Sequence, residues 1–219
     1  MRSAAGGDEG PFYLASQSDT PSVASNVITF SSLDLGTPDD GRLIWACYGG
    51  NLEGTLSRFE VSMSIAGVPA TLLRAEVSDN NDQLVGIWVA SVPTGSTGNV
   101  VLTWTNPART PTASAISLYA GVGFSATPTD TAAENRGSPL NLGLSSVTAG
   151  GVNLCIYGND GATTPNGTLS TQFNTIVSTT NDVLSGYDYP TTVLLDEITV
   201  THLSGTASAV AVAAAIPPI

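Results

Sequence analysis

In "NVVLTWTN", Val100, Leu102 and Trp104 fall on one side of an extended chain and Val101, Thr103 and Thr105 on the other. This period of two is the mark of a strand with one buried face. It recurs in "SNVITFSSL", "RLIWACY", "FEVSMSIAG", "ATLLRAEVS", "LVGIWVASV", "SAISLYAGVGF", "VNLCIYG", "TQFNTIVS", "VLLDEITVTHL" and the terminal "ASAVAVAAAIPPI". Counted this way the chain has about eleven strands. The stretches between them, such as "TPDDG", "DNNDQ", "PTGSTGN", "NPARTP", "TAAENRGSP", "GNDGATTPNG" and "SGYDYP", are turn chemistry supplied by Gly, Pro, Asn and Asp. A helical period is convincing nowhere. The expected fold is therefore all-β, an antiparallel sandwich or jelly roll whose sheets interdigitate across the core.

A length of 219 residues suits one domain of the larger all-β kind or two small ones, and a single domain is the reading adopted. We expect a flexible arm over residues 1–11, "MRSAAGGDEGP", and one sandwich over 12–219. Charged residues make up 11% of the chain against 42% hydrophobic, which excludes a disordered polyelectrolyte. There is no lysine, six arginines stand against 18 carboxylates, and the net charge is -12. Nucleic-acid binding needs clustered positive charge and is excluded on that ground, and docking to anionic lipid is disfavoured. The amino terminus lacks the apolar stretch of a secretory signal, and no apolar run reaches the roughly 18 residues that span a bilayer. As written, the chain is expected to be soluble and made in a cytoplasm.

One short element occurs twice. "RLIWACYGGN" (42–51) and "VNLCIYGND" (152–160) are both apolar strands followed by Tyr-Gly and a polar residue. Aligning Tyr48-Gly49 with Tyr157-Gly158 pairs Trp45 with Leu154 and Cys47 with Ile156, and leaves Cys155 opposite Ala46. Strand alternation then puts Cys47 on the Trp45 face and Cys155 on the Tyr157 face. A disulfide needs Cβ atoms about 3.5–4.5 Å apart, so the two cysteines are expected as free, structural thiols. The repeated strands should hold similar places in the fold, each ending at a glycine turn.

Reactive chemistry is sparse. His202 is the sole histidine, which rules out a histidine-built metal cluster, and the chain has no Gly-x-Ser-x-Gly elbow. Both cysteines lie within strands without a basic neighbour to lower a thiol pKa. Asp196 and Glu197 are adjacent in a strand and so point to opposite faces. Asp39-Asp40, Asp79/Asp82 and Asp8-Glu9 stand in turns, where Asp commonly bonds its own backbone. "DNNDQ" and "GNDGATTPNG" are rich in oxygen ligands but lack EF-hand spacing and read as ordinary turns. No catalytic residue, metal or cofactor is assigned. The candidate contact site is "SGYDYP", with Tyr187 and Tyr189 flanking Asp188 in a loop, suited to a sugar or a protein partner.

The stretch "IAGVPATLL", then "LVGIWVASVPTGSTGNVVLTWTN", then "AISLYAGVGFSATPTDT" resembles a recurrent β-sandwich module of bacteriophage virion proteins and some bacterial surface proteins. The matching residues are Gly67, Val68, Ala70, Thr71, Leu72, Trp88, Pro93, Gly95, Thr103, Thr105, Gly121, Val122, Thr127 and Pro128, within a stretch from about Ile28 to Tyr157. The resemblance implies a structural, non-enzymatic component of a virion, such as a head decoration, spike or tail-associated subunit. Such a subunit would assemble in the host cytoplasm with copies of itself and other virion proteins. The alternative is a carbohydrate-binding module for a host surface glycan.

Overall fold

A computed structural model describes residues 12–19, 26–52, 61–79, 83–105, 111–135, 140–145, 148–159, 167–169, 175–178, 183–188, 196–202 and 209–219. Their regular structure is all strand. The first half contains β1 (Phe12–Asp19), β2 (Val27–Asp34), β3 (Leu43–Leu52), β4 (Val61–Ile65), β5 (Val68–Pro69), β6 (Thr71–Val77), β7 (Gln83–Ser91), β8 (Thr97–Trp104) and β9 (Pro111–Gly121). The second contains β10 (Asp130–Glu134), β11 (Leu140–Leu144), β12 (Val152–Asn159), β13 (Gly167–Leu169), β14 (Thr175–Ser178), β15 (Val183–Asp188), β16 (Asp196–His202) and β17 (Ala209–Ile216).

The strands form four antiparallel sheets. The first half builds an inner sheet in the order β1-β9-β3-β7-β6 and an outer sheet β2-β8-β4-β5. The second half builds an inner sheet β10-β17-β12-β15-β14 and an outer sheet β11-β16-β13. These are the same topology. Substituting β10 for β1, β11 for β2, β12 for β3, β13 for β4, β14 for β6, β15 for β7, β16 for β8 and β17 for β9 converts one set of orders into the other, apart from the two-residue β5. Each half is thus a jelly-roll sandwich. The chain thus builds two sandwiches of the same winding, four antiparallel sheets in all.

Three apolar cores hold four layers together. Phe30, Ile65, Leu102 and Trp104 of the first outer sheet meet Ala46, Tyr48, Trp88 and Leu118 of the first inner sheet. Trp45, Cys47, Val85, Ile87 and Tyr119, on the opposite face of that inner sheet, meet Leu154, Ile156, Val183, Val210 and Val212 of the second inner sheet. Cys155, Tyr157, Ala211 and Ala213 then face Leu142, Leu144, Ile198 and Val200 of the second outer sheet. The central inner-sheet strands are therefore covered on both faces, and all eight residues of β12 and of β17 are buried. The duplicated motif is explained by this arrangement: β3 and β12 are each the third of five strands in an inner sheet.

The glycines of that motif are not turns. β3 continues through Gly49 to Leu52 and β12 through Gly158 to Asn159. A Cβ on Gly49 would lie 2.6 Å from Val183, and one on Gly158 would lie 2.8 Å from Val85. Val85 is the ladder partner of Gly49, and Val183 that of Gly158. Each glycine thus receives the valine paired with the other, a reciprocal contact that relates the two halves about an approximate twofold axis. Glycine is needed here so that two backbones can approach closely across the seam.

Gln83 lies over the same spot, with its Nε2 2.6 Å from where a Cβ on Gly158 would be. It is fully buried, and neither Nε2 nor Oε1 has a hydrogen-bond partner among the described residues. Unsatisfied buried amide groups are destabilising by about 1–3 kcal/mol, and an apolar group of the same shape removes that penalty. Gln83→Met is expected to raise stability by about 1–2 kcal/mol in urea unfolding. An unchanged or lowered midpoint would show that the amide is satisfied in solution.

The sequence pattern passes over several edge strands. β10 falls largely in "TAAENRGSP", read as a turn, and β1 and β11 are not among the runs read as strands, although β11 alternates with Leu140, Leu142 and Leu144 buried. Edge strands are paired on one side and half exposed, as β10 is at all five positions, so small and polar residues suffice there.

Candidate functional site

The residues singled out for contact occupy a strand. Tyr187 and Asp188 close β15, while Tyr189 lies outside the described residues. The loop expected at "SGYDYP" is corrected for its first part, because backbone pairing with β12 extends through Leu154↔Tyr187 and Asn153↔Asp188. The Tyr187 ring is half-buried and meets Tyr119 edge to face with centroids 5.5 Å apart. Tyr119 also shares a 2.6 Å hydrogen bond with Ser185 Oγ. Both contacts cross the seam between the sandwiches. Asp188 is buried, 7% exposed.

Cys47 and Cys155 are free and fully buried, on opposite faces as the repeat implies. Cys47 lies in the seam core and Cys155 in the second sandwich core. Burial pushes both thiols up, Cys47 further by its proximity to Cys155, so both are neutral at physiological pH. The folded chain is expected to resist Ellman's reagent at pH 8 and to release two thiols per chain in denaturant, with no change in melting temperature on reduction. Rapid modification of the native protein would contradict this placement.

Arg42 is the polar centre of the first sandwich's loop end, and nothing in the sequence marked it. It is 2% exposed. Its Nε donates to Val92 O (2.7 Å), Nη1 to Leu35 O (2.8 Å) and Gly36 O (2.9 Å), and Nη2 to Thr94 O (2.9 Å) and Gly95 O (2.7 Å). All five guanidinium N–H donors meet backbone carbonyls of two loops. Burial lowers its pKa, and the carboxylates of Asp39 and Asp34 oppose that shift, which leaves a cation. The clasp fixes the loops between β2 and β3 and between β7 and β8.

At the edge of the seam a groove of about 410 Å³ is lined by Glu76, Ala133, Glu134 and Asn135. β6 supplies Glu76, the end of β10 supplies Ala133 and Glu134, and Asn135 follows. Asn135 Nδ2 donates to Val77 O at 3.3 Å, which links the two sandwiches. Arg74 stands 3.6 Å from Glu76 in a partly exposed pair. Val77 and Asn135 lie 58 positions apart in the chain, so no local pattern could have joined them. Among the described residues no three His, Cys, Asp or Glu side chains gather as metal ligands. His202 ends β16, and residues 80–82 and 160–166 of the oxygen-rich loops lie outside the described residues.

No protein-family model matches the chain, and no curated protein matches its sequence. Among solved structures, the N-terminal CBM22-1-CBM22-2 tandem domain from Paenibacillus barcinonensis Xyn10C aligns over 99% of both chains at 12% identity with a TM-score of 0.27. That degree of likeness is too low to bear on fold or function.

Proposed function

We propose that this chain is a non-enzymatic structural component of a bacteriophage virion, a head decoration, spike or tail-associated subunit that assembles as an oligomer on the particle surface. The observation that carries the reading is the fused pair of jelly rolls, since double-sheet jelly rolls serve as capsid and lectin domains. Fold alone does not decide function, and the surface adds support. The first outer sheet presents the rows Val27–Thr103–Ser62 and Thr29–Val101–Ser64, which carry no charge in a chain of net charge -12. Short hydroxyl side chains lose little rotamer freedom on contact, and an uncharged face avoids repulsion between acidic copies.

Size-exclusion chromatography with light scattering, together with rebinding to particles that lack the protein, tests this. A defined oligomer or particle binding is expected. Removal of residues 1–10 should weaken attachment while leaving the β-sheet circular-dichroism spectrum intact. A strict monomer that ignores particles and binds a polysaccharide, with binding lost in Tyr187→Ala/Tyr189→Ala, would replace this reading with the glycan-binding one.

A further inference from the structure

Among the described strands, β1–β9 build the first sandwich and β10–β17 the second, so the chain passes from one to the other once, through residues 122–129. Within the first sandwich it passes repeatedly between sheets, since the outer strands β2, β4 and β8 alternate with inner ones. No ladder joins the two inner sheets. The seam is therefore the plane along which the molecule can part while every described ladder stays intact, and local opening follows such planes. The single crossing is fastened on both sides. Ser125 N donates to Pro217 O (2.9 Å), Thr129 N to Ala215 O (2.8 Å) and Ile219 N to Gly123 O (2.9 Å), and Phe124 forms an antiparallel bridge with Pro218. The crossing thus runs against the end of β17 and the residues after it, in the second sandwich. Phe124 turns its ring into the seam core, 7% exposed, and meets Trp45 of β3 edge to face with centroids 5.9 Å apart. Gly121 makes room for that meeting: a Cβ there would lie 3.0 Å from Phe124 and 3.2 Å from Trp45.

From the single crossing, its backbone bonds to the second sandwich and the seating of its ring on the first, we infer that residues 122–129 are a latch on the seam. Phe124 holds the two sandwiches together, and when it is released they part as folded bodies. Once parted, Val85, Ile87, Leu154 and Val212 of the seam core meet water. A contiguous apolar patch of that kind promotes association, so the closed latch also keeps copies from sticking through their inner sheets. This goes beyond the assembly reading and does not depend on it.

The two buried thiols report on the latch separately, because Cys47 lies in the seam core beside Trp45 and Cys155 in the core of the second sandwich. Slow alkylation of the native full chain, resolved by mass spectrometry, reads the opening that exposes each. Cys47 is expected to react slowly, yet about tenfold or more faster than Cys155. Phe124→Ala should speed Cys47 by about a hundredfold and Phe124→Leu by about tenfold, in proportion to the ring volume lost from the seam. Trp104→Ala, which weakens the first sandwich's own core and leaves the seam alone, should leave the Cys47 rate within about threefold of the parent. Phe124→Leu and Trp104→Phe give the same comparison if either alanine variant fails to fold. A Cys47 rate unmoved by the Phe124 variants, or raised equally by the Trp104 variants, would overturn the inference, since Cys47 would then be reached only by unfolding a sandwich. Equal rates for Cys47 and Cys155 in the parent would overturn it as well.

Discussion

Arg42→Ala is expected to destabilise the fold by about 3–5 kcal/mol, a fall in melting temperature of roughly 6–20 °C for a chain of this size. The substitution removes five donors at once and strands the carbonyls of Leu35, Gly36, Val92, Thr94 and Gly95 in a buried end of the sandwich. Buried carbonyls without donors are costly, and bonds to a charged donor are stronger than neutral ones. Arg42→Lys keeps the charge but offers three donors from a point, which cannot reach two loops in one plane, so it should recover less than half the loss. Arg74→Ala serves as the control: that side chain is 38% exposed, and its removal should change stability by less than about 0.5 kcal/mol. Thermal unfolding followed by circular dichroism measures all three. An Arg42→Ala protein that melts within about 2 °C of the parent would mean that the clasp contributes nothing to stability.

Trp104→Ala is expected to cost about 3–5 kcal/mol. Trp104 is fully buried in the first sandwich, and its ring meets Tyr48 edge to face at 6.1 Å. Tyr48 also contacts Trp88 at 6.3 Å and Phe30 at 6.5 Å, and its hydroxyl bonds Ser114 at 2.9 Å. Truncating Trp104 therefore opens a cavity beside the residue that joins both sheets of the sandwich. Trp104 Nε1 has no hydrogen-bond partner among the described residues, so the indole contributes as apolar volume. Trp104→Phe should accordingly cost less than about 2 kcal/mol, because most of that volume returns. Urea unfolding of both variants decides this. Equal losses for Phe and Ala would assign an essential role to the indole nitrogen and contradict the packing account.

Much of the fold is legible in individual strands. The alternation of "NVVLTWTN" assigns Val100, Leu102 and Trp104 to one face, and all three are buried while Val101 and Thr103 are half exposed. "ASAVAVAAAIPPI" reads as a last core strand, and β17 is one. The reason for its small residues appears only in the packed molecule. Ala209, Ala211, Ala213 and Ala215 face the second outer core, while Val210, Val212, Ala214 and Ile216 face the seam. Tyr187 shows the converse failure. Gly, Asp and Pro around it carry turn signals, and cross-strand pairing with β12 together with the Tyr119 ring overrides them.

The sequence by itself determined which residues share a strand face, the opposite facing of Cys47 and Cys155, the all-β class, and the net charge of -12. Those properties are local or additive: they follow from a backbone whose side chains alternate and from a sum of charges. The tertiary structure alone decided that the strands form four sheets, that the two halves share one winding, and that Gly49 and Gly158 admit each other's valine partners. It alone brought Glu76 to Glu134 and wrapped Arg42 in carbonyls from two loops. Alternation says that a face is covered without saying what covers it, and contacts between residues 50 or more positions apart are set by how sheets stack.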